Sequence, residues 1–219
     1  MNPVLRSLRP ALLATSLLMM AGCSSLIGGP RETPTIYAPE PARRVDPSWP
    51  AVDWSLALAH AGEAQMEDGP RIVVSPVPGE LQVYRGALWA RTPAEMVQDV
   101  VLRTLEDSGK LPLVARQGSG VSSDYRLLLE IRRFRAEYAG NASPAAVVEV
   151  NATLLHLRDQ TVAGSRNFRQ SQPAAGVAVA EVADAFAQAL SALGHDVAGW
   201  SLQTGQAHTG QPHPSTPAR

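Results

Sequence analysis

The clearest alternation of apolar and polar residues along the chain lies in its second half. The segment YRLLLEIRRFRAEY (125–138) keeps its apolar residues on one parity up to Ile131 and on the other parity from Phe134 onward. Successive side chains of a strand point to opposite faces, so an extra residue is needed where the parity changes. The pattern therefore predicts a long strand with a bulge at Arg132 or Arg133.

Two further segments continue this pattern. AVVEVNATLLHLRD (146–159) alternates as a strand with one buried face does, and TVAGSRNFRQSQP (161–173) follows a predicted turn at Asp159 and Gln160. Short connections between such strands are typical of antiparallel hairpins. We predict a three-stranded antiparallel meander over residues 125–173.

Three shorter strands are predicted earlier in the chain. They are VDWSLALA (52–59), RIVVSPV (71–77) and LQVYRGALWA (81–90), the last with a break at Gly86.

Two segments have the three-and-four spacing of amphipathic helices. In the first, Thr92 can cap the amino end, Pro93 suits the first turn, Glu95 completes a capping box and Gly109 can end the helix. The second repeats apolar residues at helical spacing over 179–200. Two helices against such strands predict an α+β fold: a single domain whose mostly antiparallel or mixed sheet is covered by two amphipathic helices.

The composition excludes several classes of protein. The chain of 219 residues carries a formal net charge of -1, which gives no bulk basic character for binding nucleic acid. Its single cysteine, Cys23, leaves no pair for disulfides, so a hydrophobic core must hold the domain. We therefore expect no nucleic-acid partner. We also expect no metal site and no catalytic site, because the chain has no G-x-S-x-G motif and no histidine with a companion ligand four residues later.

The amino terminus has the features of a secretion signal. Arg6 and Arg9 precede an apolar run over 11–21, which is shorter than the roughly 20 residues that span a bilayer. Met20-Ala21-Gly22-Cys23 resembles the bacterial lipobox, with Met20 where leucine is usual. This resemblance implies a signal peptide over 1–22 and a covalent lipid on Cys23, with no other cofactor. A plain signal peptide, or a buried helix with an inert Cys23, is the alternative.

The ends of the chain set the predicted domain boundaries. Residues 23–50 are rich in Pro, Gly and Ser and predict a flexible lipidated tether, ahead of a domain over 51–203. Residues 204–219 predict a disordered tail, in which His208 and His213 lack a third metal ligand. Ser24 stands where aspartate would resemble an inner-membrane retention signal, so we expect a lipid anchor at the outer membrane, facing the periplasm.

Ordered blocks of sequence resemble the ABC-type transport auxiliary lipoprotein family. They are YRGALWARTPAEMVQDVVLRTLEDSG, DYRLLLEIRRFRAEYAGNASPAAVVEVNATLLHLRDQTVAGSRNFRQSQPAAG and a final helix that ends in VAGW. The resemblance covers about residues 55–200. It implies a non-enzymatic, membrane-anchored accessory subunit of an envelope lipid-transport system that contains an ABC ATPase, a permease and an MCE-domain protein.

The implied partner is the periplasmic MCE-domain protein. We expect contacts from the aromatic segment, at Tyr84, Leu88 and Trp89, because exposed aromatic residues are enriched at interface hot spots. The alternative is that a large aromatic residue beside a helix start belongs to the core.

Three other functions stay open from sequence. A hydrolase could use Asp124, His156, His195 and Asp196, but the chain has no G-x-S-x-G motif. An outer-membrane assembly or cell-wall-synthesis accessory lipoprotein could share a small α/β domain on a lipidated tether. A direct lipid carrier would need a sizeable apolar cavity.

Overall fold

The computed structural model describes residues 33–61 and 69–210, which form a mixed sheet and two helices. The strands are β1 Thr35–Tyr37, β2 Leu56–Leu58, β3 Arg71–Ser75, β4 Gln82–Trp89, β5 Val114–Arg116, β6 Tyr125–Glu137, β7 Ala145–His156 and β8 Thr161–Pro173. The helices are α1 Pro93–Ser108 and α2 Val179–Thr209. The predicted α+β class is confirmed.

Strands β6, β7 and β8 form the predicted antiparallel meander. The β6–β7 register shifts between Ile131 and Arg133, so the predicted bulge is confirmed, and Phe134 returns to the buried face. The tight turn before β8 contains Gln160 at φ 59, a left-handed conformation. The Asp159 carboxylate accepts a hydrogen bond from the Thr161 amide at 3.1 Å, as in an Asx turn.

The other edge of β6 pairs with two short strands that both run parallel to it. β2 lies beside its start, with Leu56 opposite Tyr125, and β3 lies beside its end, with Val74 opposite Ala136. β5 flanks β2, β4 flanks β3, and β1 flanks β4. The sheet is therefore mixed, one of the two forms that the sequence predicts.

Helix α1 begins and ends where its capping residues predict. The Glu95 amide donates to the Thr92 hydroxyl at 3.3 Å, and the Glu95 carboxylate accepts from the Thr92 amide at 2.8 Å, which completes the capping box. Gly109 ends the helix at φ 61, in the left-handed region where glycine carries no side-chain penalty. α1 packs mainly against α2, and α2 packs against β7 and β8.

Three glycines on α2 let other elements approach its backbone closely. A Cβ atom added at any of them would meet a neighbouring side chain below the distance that real Cβ contacts show. A Cβ added at Gly194 would clash with Val100. One added at Gly199 would clash with the Trp49 indole, and one added at Gly205 would clash with the Trp54 indole. Glycine at these positions is therefore a packing requirement, although it weakens a helix intrinsically.

Both predicted domain boundaries need correction. Part of the predicted tether 23–50 belongs to the domain, because β1 pairs with β4 and Trp49 is buried in the core. The domain also continues beyond residue 203, because α2 runs to Thr209 instead of giving way to a tail at 204. Periodicity did not predict either extension. β1 has only three residues, too few to show alternation. The end of α2 packs through individual contacts, such as Gly205 against Trp54, and has no repeated apolar spacing. Residues 23–32 and 211–219 lie outside the described residues.

Candidate functional site

The aromatic segment of β4 is divided between the core and the surface. Gly86 has φ 65, and the β3–β4 register jumps from Arg71 opposite Leu88 to Val73 opposite Val83, so the predicted break is a bulge. Beyond it, Trp89 is buried, with its ring 5.1 Å from Phe186 in an edge-on contact. Trp89 therefore cannot offer the exposed contact predicted for it, and the alternative interpretation as a core residue is correct.

Tyr84 and Leu88 both lie part-way between core and solvent. Tyr84 packs against the core, and burial together with the neighbouring Tyr138 raises the pKa of Tyr84 to about 12. Leu88 lies opposite Ile36 in the parallel β1–β4 pair, and Ile36 is 65% exposed. The next residues along the two strands, Tyr37 and Trp89, face the core. Because side chains alternate along a strand, Ile36 and Leu88 lie on the opposite face of the β1–β4 strand pair.

We call Ile36 and Leu88 the edge pair. β1 pairs with β4 alone among the strands of residues 33–61 and 69–210, so the edge pair lies at a sheet edge. Sequence reasoning selected Leu88 but missed Ile36, because the residue lies in the predicted tether. The only signal was the short run TIY at 35–37, whose residues favour strands.

A second candidate site surrounds the carboxylate of Asp99 on α1. Its side chain is 12% exposed and forms ion pairs with three arginines. These are Arg91 before the helix (Nη1 at 3.2 Å), Arg103 one turn later (Nε at 2.9 Å) and Arg116 on β5 (Nη2 at 2.9 Å). Burial alone would raise the pKa of the Asp99 carboxyl, but hydrogen bonds from Arg103 and Arg91 outweigh it and hold that pKa below its ordinary value.

Beside this cluster is a pocket of about 320 Å³, which we call the arginine pocket. Its charged lining consists of Arg43, Arg91, Arg103, Asp99 and Glu40. Arg116 shares Asp99 but does not line the pocket. The sequence contained one trace of this site, the spacing of Asp99 and Arg103 four residues apart on a helix, but not the convergence of Arg91 and Arg116.

The residues considered for a hydrolase take part in separate local contacts. Asp124 accepts hydrogen bonds from the Ser55 amide and hydroxyl, at 2.8 and 2.7 Å. His156 pairs with Asp159, and His195 pairs with its neighbour Asp196. Within the described ranges, no group of three or more His, Cys, Asp or Glu side chains is arranged to hold a metal ion.

His208 was predicted to lie in a disordered tail, but it belongs to the last turns of α2. Its Nδ1 lies 2.9 Å from the Tyr125 hydroxyl, and its ring lies 5.2 Å from that of His156. These contacts hold the end of α2 against the start of β6. His213 and the predicted lipidation site Cys23 lie outside the described residues.

Comparison with known proteins identifies the family. A family model described as the ABC-type transport auxiliary lipoprotein component matches residues 35–198. The chain belongs to this family. The resemblance deduced from the sequence blocks is therefore confirmed, and the match begins at β1, in agreement with the corrected domain boundary.

Solved structures and a curated relative resemble this lipoprotein. It is 46% identical to protein XCC0632 from Xanthomonas campestris, of the DUF330 family, with a TM-score of 0.77 over 81% of this chain and 100% of that one. An uncharacterized protein of known structure shares the fold at 15% identity, with a TM-score of 0.60 over 76% of this chain and 97% of that one. Uncharacterized protein bll6063 from Bradyrhizobium diazoefficiens is 25% identical over 190 residues, which are 84% of this chain and 49% of the relative. The lipoprotein thus spans about half the length of this curated relative.

The family supports part of the functional prediction. It is a family of transport auxiliary lipoproteins and not a known enzyme family. Neither helix in the described part of the chain combines the length and apolar character needed to cross a membrane.

Proposed function

We propose that this lipoprotein is a non-enzymatic accessory subunit of an ABC-type system that transports lipid across the bacterial envelope. Acyl chains on Cys23 hold it at the periplasmic face of the outer membrane, and its domain docks on the MCE-domain protein of the same system. The family match over residues 35–198 is the observation that carries the proposal. The lipobox at residues 20–23 supports the anchor.

The edge pair is the surface that we assign to the partner. Ile36 is 65% exposed beside Leu88, and apolar side chains at a sheet edge can be covered by a partner segment. Among the described strands β1 pairs with β4 alone, so its other edge presents main-chain groups that a partner strand can pair with. Docking here combines apolar burial with backbone hydrogen bonds.

Co-purification from membranes tests the docking surface. The acylated full chain would be extracted in neutral detergent, and the amount of MCE-domain protein recovered with it would be measured. Replacing Ile36→Glu together with Leu88→Glu should reduce recovery at least about tenfold, which corresponds to about 1.4 kcal/mol. The loss is expected because two carboxylates would have to be desolvated at the contact.

Val162→Glu is the matched control, because Val162 is 58% exposed on β8, outside the edge pair. It places one glutamate at an exposed apolar position of a strand, as each substitution of the double variant does, and should leave recovery unchanged. Undiminished recovery with the folded double variant would remove the edge pair from the proposal. Trp89 is not used in this test, because its truncation would open the core.

The anchor has a separate test. Mass spectrometry of the mature protein should find acyl groups on Cys23, and Cys23→Ala should release the chain from the outer-membrane fraction. The acyl chains supply the attachment at roughly 0.8 kcal/mol for each buried methylene. A bare Cys23 thiol in the membrane-extracted protein would contradict the anchor.

Gene neighbours separate this function from the alternative, an assembly or cell-wall-synthesis lipoprotein. The transport function predicts adjacent genes for an ABC ATPase, a permease and an MCE-domain protein. Adjacent cell-wall or outer-membrane assembly genes, without these three, would favour the alternative.

A further inference from the structure

The Asp99 carboxylate is shared by three guanidinium groups, and two of these groups line the arginine pocket. Asp99 carries one negative charge and is paired with three guanidinium groups, those of Arg91, Arg103 and Arg116. Arg43 lines the same pocket and is paired with Asp107 on α1. Glu40 is the other carboxylate of the lining.

Most hydrogen-bond donors of the two central arginines are left for another acceptor. A guanidinium group has five N–H donors, in a planar fork that matches phosphate and carboxylate oxygens. Within the described residues, Arg91 uses Nη1 and Arg103 uses Nε to reach Asp99. Their side chains are 45% and 55% exposed, so the remaining donors face solvent at the pocket.

Asp99 keeps these side chains oriented before any ligand arrives. Its carboxylate receives Arg103 and Arg91 on Oδ2 and Arg116 on Oδ1. Gln98, the preceding residue, accepts from Arg116 at 2.9 Å and donates to the Ala59 carbonyl at 2.8 Å, which ties the cluster to the chain just after β2. Such preorganisation lowers the entropy lost when a ligand binds.

We propose that the arginine pocket binds the phosphate group of a lipid head group, through Arg91 and Arg103. This goes beyond the proposed docking function, because it assigns the domain a direct contact with lipid. Arg43 also lines the pocket, but its charge is paired with Asp107. Asp99 acts as a positioning residue that does not itself contact the phosphate.

A lipid source of the phosphate is favoured by the position of the pocket in the chain. Pro39, Glu40, Pro41 and Arg43 of the lining directly follow β1, the first described strand. Residues 24–34 separate Cys23 from β1, and these eleven residues reach at most about 40 Å when fully extended. If Cys23 is acylated as proposed, the tether allows the pocket to approach the head groups of the same membrane.

Calorimetric titration of the acylated full chain in neutral detergent tests this proposal. The probes are dihexanoyl phosphatidylglycerol, the matching diacylglycerol without phosphate, glycerol 3-phosphate and inorganic phosphate. Dihexanoyl phosphatidylglycerol should bind, and Arg91→Gln with Arg103→Gln should weaken this binding at least tenfold. Arg116→Gln is the matched control: it removes one Asp99 partner but no lining charge, and should change binding less than threefold.

Asp99→Asn tests the positioning role of Asp99. Asparagine leaves one acceptor oxygen for three guanidinium groups where the carboxylate offers two, so Arg91 and Arg103 should lose part of their orientation and phosphatidylglycerol binding should weaken. Binding should also weaken as ionic strength rises, because the contact is between charges.

Three results would overturn the proposal. The first is equal phosphatidylglycerol binding by the folded double variant. The second is equal binding of diacylglycerol, which would show that the phosphate is not recognised. The third is equal binding of inorganic phosphate or glycerol 3-phosphate, which would show that a free phosphate, not a lipid, is the ligand.

A measurement on the unaltered protein covers the case in which the double variant does not fold. The Nε resonances of ¹⁵N-labelled arginines should shift for Arg91 and Arg103 on titration and stay in place for Arg132, which lies on β6 outside the pocket lining and is paired with Glu130. Unshifted Arg91 and Arg103 resonances at saturating lipid would contradict the site.

The proposal can fail independently of the docking function. The double arginine variant should still co-purify with the MCE-domain protein, and the edge-pair variant should still bind phosphatidylglycerol. Loss of both activities in either variant would mean that the two surfaces are one site, against both assignments.

Discussion

The two halves of the domain are built differently. Residues 125–209 form three long antiparallel strands and one long helix, each next to its neighbour in sequence. Residues 33–61 and 69–116 form short strands whose pairings are mostly parallel, together with the capped helix α1. Parallel pairing joins segments that are distant in the chain, whereas a hairpin joins adjacent ones.

The first half depends on the second for its position. β2 and β3 pair with β6, while Trp49 and Trp54 pack at glycines of α2. Both candidate surfaces, the edge pair and the arginine pocket, lie in this first half. The arrangement is one in which a regular scaffold positions short segments that carry function.

The largest expected effect comes from removing a side chain that both halves share. Phe186 on α2 stacks on Phe134 at 4.8 Å and meets Trp89 of β4 at 5.1 Å. Phe186→Ala should lower the free energy of unfolding by about 3–5 kcal/mol, because it leaves a cavity in the core. Urea denaturation followed by circular dichroism measures the change.

Leu128→Ala is the control for this prediction. Leu128 is 39% exposed on β6, and its truncation should change stability by no more than about 0.5 kcal/mol. Equal effects of the two substitutions would mean that Phe186 does not join the halves through the core.

A smaller effect is expected at the contact between α2 and the first half. Gly205→Ala would place a Cβ against the Trp54 indole and should destabilise the protein by about 1–3 kcal/mol through overpacking. Hydrogen exchange should then rise most in β2, which follows Trp54. Gly210→Ala is the control, because its added Cβ would lie 3.7 Å from the nearest atom, an ordinary contact distance. Similar hydrogen exchange in the two variants would contradict the packing role given to Gly205.

The smallest effect is expected at α1, which carries its own start signal. Thr92→Ala removes one arm of the capping box and should cost about 1 kcal/mol in thermal or urea unfolding. Thr92→Ser keeps the hydroxyl and should restore most of the loss. If Thr92→Ala were as damaging as Gly205→Ala, local capping would matter as much here as contact between the halves.

Much of the second half was predictable, and so was α1 of the first half, because the signals are local. The change of parity between Ile131 and Phe134 located the bulge in β6, and the Thr92 capping box and Gly109 located the ends of α1. The predictions failed where the partner is distant. Ile36 was placed in a tether and His208 in a tail, although one faces Leu88 on β4 and the other contacts Tyr125 on β6.

The candidate sites show the same limit. Leu88 is half-buried and Trp89 beside it is buried, because the Gly86 bulge and the orientation of β4 decide which residue points inward. The cluster around Asp99 was not predicted. Its arginines come from a loop, a helix and a strand, and no spacing in the chain connects Arg116 with Arg91.

Amino-acid order alone was enough for the meander, both helices and the α+β class, since alternation, helical spacing and capping act between residues close in the chain. The family followed from the resemblance of ordered sequence blocks. Folding in three dimensions settled the parallel neighbours of β6, the burial of Trp89, the edge pair and the arginine pocket. These features depend on contacts between distant segments, which form only when the apolar face of the sheet is covered and the tryptophans meet the glycines of α2.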